Sequence, residues 1–262
     1  MKKKQKNLVI PVIILAVALI CGLLKFDITG YLDEISANLN NTESIKTITS
    51  TSSDKEVVEL VKCVDGDTAT FKINKKNKKV RFLGIDTPES VHPYKEVEEY
   101  GKDASEYTCN ILKNANTIEL SYENNLSKTD KYGRILAWVW ADNELVQKKL
   151  ISIGYAEVKY VYAKYSLLEE LYETQNKTKE QKLGLWYDYQ DKEYKDKTYT
   201  VTFKVSDKEE KVKVKEGQIV ELIDNPTKTG YVFSGWTYGS EPYDLSKPIT
   251  RNITVKAKFA KE

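Results

Sequence analysis

Five short runs of β-type residues, none long enough for a helix, constrain the fold of this chain more than any other feature. They lie at 57–64, 68–73, 80–85, 117–122 and 135–141. The second and third are joined by Asn74, Lys75, Lys76, Asn77 and Lys78, a hairpin signal. Apolar residues at helical spacing fall between and after these runs. Tyr100, Ala104, Tyr107 and Ile111 form one set; Val146, Leu150 and Ile153, stopped by Gly154, form a second. A third helix opens at Ser166 with Glu169 three residues on, the spacing of a capping box, and closes near Gly184.

This pattern predicts an α+β domain over 56–188, a five-stranded β-barrel of the OB type with three packing helices. The flanks are different in kind. Lys2, Lys3, Lys4 and Lys6 precede an uncharged run from Leu8 to Leu24 that ends at Lys25. Such a run is at the short end of what spans a bilayer, and the lysines hold its start in the cytoplasm. Residues 1–26 are therefore read as a cytoplasmic tip and single transmembrane helix, placing the bulk of the chain outside the cell membrane. The competing reading is a cleaved signal, which makes the protein secreted. Residues 27–55 are polar and read as a flexible tether. The charged stretch 189–197 reads as a linker. Residues 198–262 alternate apolar and polar positions and form a separate, small β module, whose removal is expected to spare the barrel's chemistry.

The formal net charge of +2 leaves any attraction for an anionic partner to local clusters. Cys21 lies in the apolar run, so Cys63 and Cys109 are the pair open to bridging; one disulfide or two reduced thiols both satisfy the sequence. With His92 as the sole imidazole and no Cys-x-x-Cys pair, zinc chemistry lacks ligands. Carboxylates and arginines remain. Asp65-Gly66-Asp67-Thr68 makes a tight acidic turn between two strands. Arg81 leads into Asp86-Thr87-Pro88-Glu89, a strand running into a rigid turn. Thr129-Asp130-Lys131-Tyr132-Gly133-Arg134 sets two cations and a tyrosine before the last strand. Oxygen ligands without His or Cys suit a hard cation, calcium or magnesium.

In order and spacing these three segments resemble the staphylococcal (micrococcal) nuclease family. The resemblance implies a phosphodiester hydrolase acting on DNA and RNA with little sequence preference. It implies that Asp67 and Asp86 ligate Ca2+ through carboxylates and Thr87 through its carbonyl, with Asp65 as a supporting acid behind them. Glu89 would orient or deprotonate the attacking water, and Arg81 and Arg134 would stabilise the transition state. Lys131, Tyr132, Tyr160 and Tyr162 would bind the neighbouring phosphate and stack on a base. The rival reading is an inactive nuclease-like surface binding or adhesion protein.

One geometric condition follows. Five residues separate Arg81 from Asp86, so a straight strand would point them to opposite faces. A shared site requires a break near Gly84. The C-terminal segment, with Gly230-Tyr231-Val232-Phe233-Ser234-Gly235-Trp236, Tyr243-Asp244 and Ile249-Thr250-Arg251-Asn252-Ile253, resembles the Listeria–Bacteroides (internalin-type B) repeat. That implies a β-grasp-like fold and a role toward cell-surface components, with Phe233 and Trp236 as core. The whole is expected to be a monomer.

Overall fold

Turn chemistry sets the first meander. The computed structural model describes residues 55–90, 98–188 and 194–261. β1 (Glu56–Asp65), β2 (Thr68–Ile73) and β3 (Lys76–Phe82) run antiparallel, followed by the two-residue β4 (Ile85–Asp86). Asn74 and Lys75 both hold positive φ, so the β2–β3 connection is a two-residue hairpin turn, shorter than the five-residue segment read from sequence. β1 also pairs with β5 (Ile118–Ser121), β5 with β6 (Ile135–Ala141), and the end of β6 with the two-residue β7 (Glu144–Leu145). Val80, Arg81 and Phe82 of β3 then pair in parallel with Ile135, Leu136 and Ala137 of β6. That last pairing closes the five strands into a barrel and removes their open edges.

Three helices cover it: α1 (Gly101–Asn114), α2 (Val146–Ser152) and α3 (Leu168–Glu180). The inward positions of strands and helices meet in one core, where Phe71, Phe82, Trp138, Leu150 and Leu171 are almost wholly buried. The capping box expected at α3 does not form. The helix starts later, at Leu168, without a side-chain cap. Ser166 instead gives both its N–H and its hydroxyl to Glu123 Oε1, at 2.8 and 2.7 Å. A carboxylate just past the end of β5, 43 residues earlier in the chain, takes that hydroxyl in place of the helix's own amides. Cys63 and Cys109 are joined as a disulfide, which resolves the alternative left open above and ties β1 to α1.

The C-terminal sheet has the order β10 (Lys208–Lys215), β9 (Thr198–Val205), β13 (Ile253–Lys261), β11 (Tyr231–Tyr238), β12 (Glu241–Pro242), with β13 and β9 parallel. Trp236 sits edge-on to Phe203 and Phe233, with ring centroids 4.8 and 5.4 Å apart, and is 1% exposed. Core packing, as expected from sequence, accounts for both aromatics. Barrel and sheet belong to one compact unit, Ser53–Glu262. The apolar run, the tether to Asp54, His92 and residues 189–193 lie outside the described residues. Among the described residues no helix is long and apolar enough to cross a membrane.

Candidate active site

The break required between Arg81 and Asp86 is present. β3 ends at Phe82, and Gly84 adopts a φ of +70°, a conformation that an L side chain rarely takes. The chain resumes as β4, now paired with β8 (Glu157–Val158) instead of the barrel. Asp86 thereby comes round to the side of Arg81. Arg81 Nη2 lies 3.1 Å from Asp86 Oδ1 and 3.0 Å from Asp67 Oδ2, while Nη1 donates to the carbonyls of Ile85 (2.8 Å) and Phe82 (3.1 Å). One guanidinium group thus bridges two carboxylates that arrive from different strands.

Asp67 is held in place by Thr68 Oγ1 on Oδ1 (2.9 Å) and by the Thr87 N–H on Oδ2 (3.1 Å). Asp65 serves the turn itself, accepting from Gly66 N–H at 2.9 Å and from the Ser90 hydroxyl. The acidic turn and the Thr87 turn therefore brace each other. Their packing leaves no room at Gly66. A Cβ there would lie 2.6 Å from Thr87 Oγ1 and 2.9 Å from Thr87 Cβ. Gly66→Ala is expected to cost about 1–3 kcal/mol of stability by overpacking. Urea unfolding measures it, and an unchanged midpoint would mean that the two turns are not in contact.

Burial raises the Asp86 carboxyl above the usual carboxylate range. Arg81 pulls it down, Asp67 pushes it up, and Lys159 also lowers it. Lys159 Nζ lies 3.0 Å from Asp86 Oδ2 and 2.7 Å from Glu157 Oε1. Burial opposes its charge, but hydrogen bonds to Glu157 and Asp86 prevail and raise its pKa. Lys159 was not singled out from sequence, although it lies inside the run that supplied Tyr160 and Tyr162. The only signal was its position between Glu157 and those tyrosines.

The rim is built on a second loop. Asp130 Oδ1 accepts from the N–H groups of Tyr132 and Arg134, each at 2.9 Å, and Oδ2 takes Arg134 Nε at 2.6 Å. This leaves the terminal nitrogens of Arg134 without an ion-pair partner among the described residues. Tyr132 is 72% exposed and has the charges of Lys131 and Arg134 near its ring, at 5.1 and 5.5 Å. Across the cleft, Tyr160 lies 5.4 Å from the Arg81 guanidinium and 6.3 Å from the Tyr162 ring. Burial and nearby Asp86 raise the Tyr160 hydroxyl, and burial and Asp244 push Tyr162 up to about 12, so both remain protonated donors at neutral pH. Glu89 is half-buried in the turn after Pro88, its N–H and carbonyl both bonded to Glu98 at 3.0 Å.

Every catalytic, metal-binding and substrate-binding candidate named from sequence borders one cleft of about 1130 Å³. Two carboxylates, Asp67 and Asp86, converge at its floor. No group of three His, Cys, Asp or Glu side chains suited to a metal occurs among the described residues.

A family model described as staphylococcal nuclease homologue matches residues 79–188, and one described as Listeria-Bacteroides repeat domain matches residues 199–258. Asp65 and Asp67 lie ahead of the first matched segment. The chain is similar to a thermonuclease of Staphylococcus hyicus, with 33% identity over 132 residues that cover 50% of this chain and 76% of that protein. It is 37% identical over 125 residues to a thermonuclease of Staphylococcus intermedius, covering 47% of this chain and 71% of the relative. Endonuclease YncB of Bacillus subtilis (strain 168) is 36% identical over 132 residues, 49% of this chain and 61% of that one.

Proposed function

Because this chain belongs to the staphylococcal nuclease family, we propose that it is a Ca2+-dependent endonuclease that hydrolyses phosphodiester bonds of DNA and RNA with little sequence preference. The observation that carries the reading is the meeting of Asp67, Asp86 and Arg81 at one point on the floor of a cleft rimmed by Arg134 and tyrosines.

The donor set fits a hard cation. Asp67 and Asp86 each bring an oxygen to the same nitrogen, at 3.0 and 3.1 Å, so both carboxylates are directed at one point, and carboxylate oxygens suit a hard cation. Thr87 Oγ1, buried and without a hydrogen-bond partner among the described residues, adds polar capacity beside them. Asp67 and Asp86 would hold calcium with the Thr87 carbonyl, and the ion would supply charge for the phosphate oxygens and acidify water. Arg81 balances the charge of those two carboxylates and would offer its guanidinium to a phosphate oxygen of the substrate. Arg134 closes on the phosphate from the rim with its terminal nitrogens, the bidentate geometry a phosphoryl group takes best. Glu89, beside the Asp86-Thr87 turn, would orient or deprotonate the attacking water. Tyr132 and Tyr160 are exposed at the cleft and would stack on a base of any identity, which suits weak sequence preference.

The setting is read as extracellular. The Cys63–Cys109 disulfide supports an oxidising compartment, and the basic, apolar N-terminus supports a single-pass anchor in the cell membrane. The enzyme works as a monomer, with the C-terminal module outermost and available to cell-surface components.

The test is cleavage of single-stranded DNA and of RNA by the full chain, in calcium, in magnesium, and with excess chelator. Cleavage of both in calcium, abolished by chelator, is the expected result. Equal rates in magnesium alone overturn the metal assignment, and binding without cleavage in calcium supports the inactive surface-protein reading.

A further inference from the structure

The substrate-facing tyrosines do not hold their own loop. After β8 the chain runs through Tyr160, Val161, Tyr162 and Lys164 before α3, and its backbone polar groups are largely met from the C-terminal sheet. Asp244 Oδ2 accepts from Tyr160 N–H at 3.0 Å and Oδ1 from Val161 N–H at 2.9 Å. Leu245 N–H donates to the Val161 carbonyl at 2.7 Å, and Trp236 N–H to the Tyr162 carbonyl at 2.9 Å. Asn225 accepts from Lys164 N–H and donates to its carbonyl, at 2.8 and 2.7 Å.

Three features show that this contact is built. Asp244 is 4% exposed and its other bonds go to Ser246 N–H and hydroxyl, so its carboxylate is fully used and already oriented before it meets the loop. Tyr160 holds a φ of +58°, an uncommon conformation for a residue with a side chain, which persists where the surroundings over-determine it. Gly235 is required by the approach: a Cβ there would lie 2.8 Å from the Tyr162 carbonyl oxygen. The same sheet also lines the cleft beside Tyr162, through Ser234, Thr237, Glu241 and Lys258.

We propose that the C-terminal repeat is a working half of the substrate cleft: through Asp244 it fixes the Tyr160–Tyr162 loop, and nucleic-acid affinity at the nuclease site depends on it. Asp244 is a positioning residue, acting through the two tyrosines. On this proposal, removing the module would weaken substrate binding while the barrel's own chemistry is largely spared. An unpaired loop would expose the Tyr160 and Val161 amides and lose the Tyr160 conformation, while Asp67 and Arg81, held by the barrel, and Asp86, held by the pairing of β4 with β8, stay in place. The effect therefore falls on binding more than on the chemical step.

The inference rests on the nuclease reading, so the test carries one readout that needs no catalysis. In the full chain, Asp244→Ala is expected to raise KM for single-stranded DNA at least roughly tenfold, the scale of one lost base-stacking contact, with kcat changed far less. Amide hydrogen exchange at 160–162 should accelerate in the same variant. Asp244→Asn keeps the bonds on Oδ1 but opposes an NH2 to Tyr160 N–H, and is expected to fall between the two. Asn225→Ala, which removes the two side-chain hydrogen bonds to Lys164, provides the test should Asp244→Ala not fold, with faster exchange at Lys164 and a smaller rise in KM. Unchanged KM together with unchanged exchange overturns the proposal. A fall in kcat at constant KM overturns it as well. Wild-type protein that cleaves nothing, yet shows protected amides at 160–162 that Asp244→Ala exposes, sinks the nuclease reading and leaves the docking intact.

Discussion

Arg134→Ala is expected to cut turnover by about 10²–10³-fold, the loss typical when one preorganised donor to a developing negative charge is removed, with little change in stability. The two halves of that expectation come from one geometry. Among the described residues the Arg134 side chain ion-pairs through Nε alone, with Asp130, and it sits partly exposed at the rim, where such an ion pair contributes about 0–1 kcal/mol. Its remaining donors face the cleft's function and not the fold. Arg81→Ala should lose a comparable factor in turnover but behave differently in unfolding. Arg81 is 8% exposed and bridges Asp67 and Asp86 while donating to two carbonyls. Its removal leaves two facing carboxylates without their shared counter-charge, a loss of about 3–5 kcal/mol for a broken buried pair. Denaturation in chelator and steady-state cleavage in calcium separate the variants. Equal stability losses would mean that Arg81 and Arg134 do not hold the different places described here.

The second large effect concerns the disulfide. Replacing both Cys63 and Cys109 by serine is expected to lower stability by about 4 kcal/mol, from the loop-closure entropy of a cross-link at this spacing. The bridged residues are 46 apart in sequence. The tie also has a local consequence. Cys63 lies two residues before Asp65, and Thr108, next to Cys109, donates to the Gly66 carbonyl at 2.6 Å. α1 therefore grips the acidic turn at two adjacent points, and loss of the bridge leaves only the hydrogen bond. The urea midpoint should fall by at least about 1 M, and reductant should reproduce the shift in the unaltered chain. A midpoint insensitive to both would show that the thiols are not joined in the folded protein.

The parts of the structure that follow local rules were legible in the sequence. Alternation and hairpin residues marked the barrel strands, and the opposite-face argument for Arg81 and Asp86 located the break at Gly84. The acid and arginine motifs named the side chains that now line one cleft. The misses have a common cause, which is a partner distant in sequence. Ser166 has the spacing of a cap, yet Glu123 takes its hydroxyl. Lys159 reads as one more charge in a polar run until β4 and β8 pair and bring it to Asp86. Asp244 looks like a turn residue of the repeat, because its acceptor sites are matched to amides 84 and 83 positions away. Periodicity and spacing carry no information about such pairings, and the cleft's second wall emerges only when both sheets are folded.

The measurement that bears most directly on the central claim is the calcium activation curve for cleavage of single-stranded DNA by the full chain and by Asp86→Asn. If Asp67 and Asp86 are the carboxylates that hold the ion, the unaltered protein should cleave only with calcium, and Asp86→Asn should need at least about an order of magnitude more while reaching a lower rate. Identical calcium dependence in the two proteins, or cleavage that survives chelation, would contradict it.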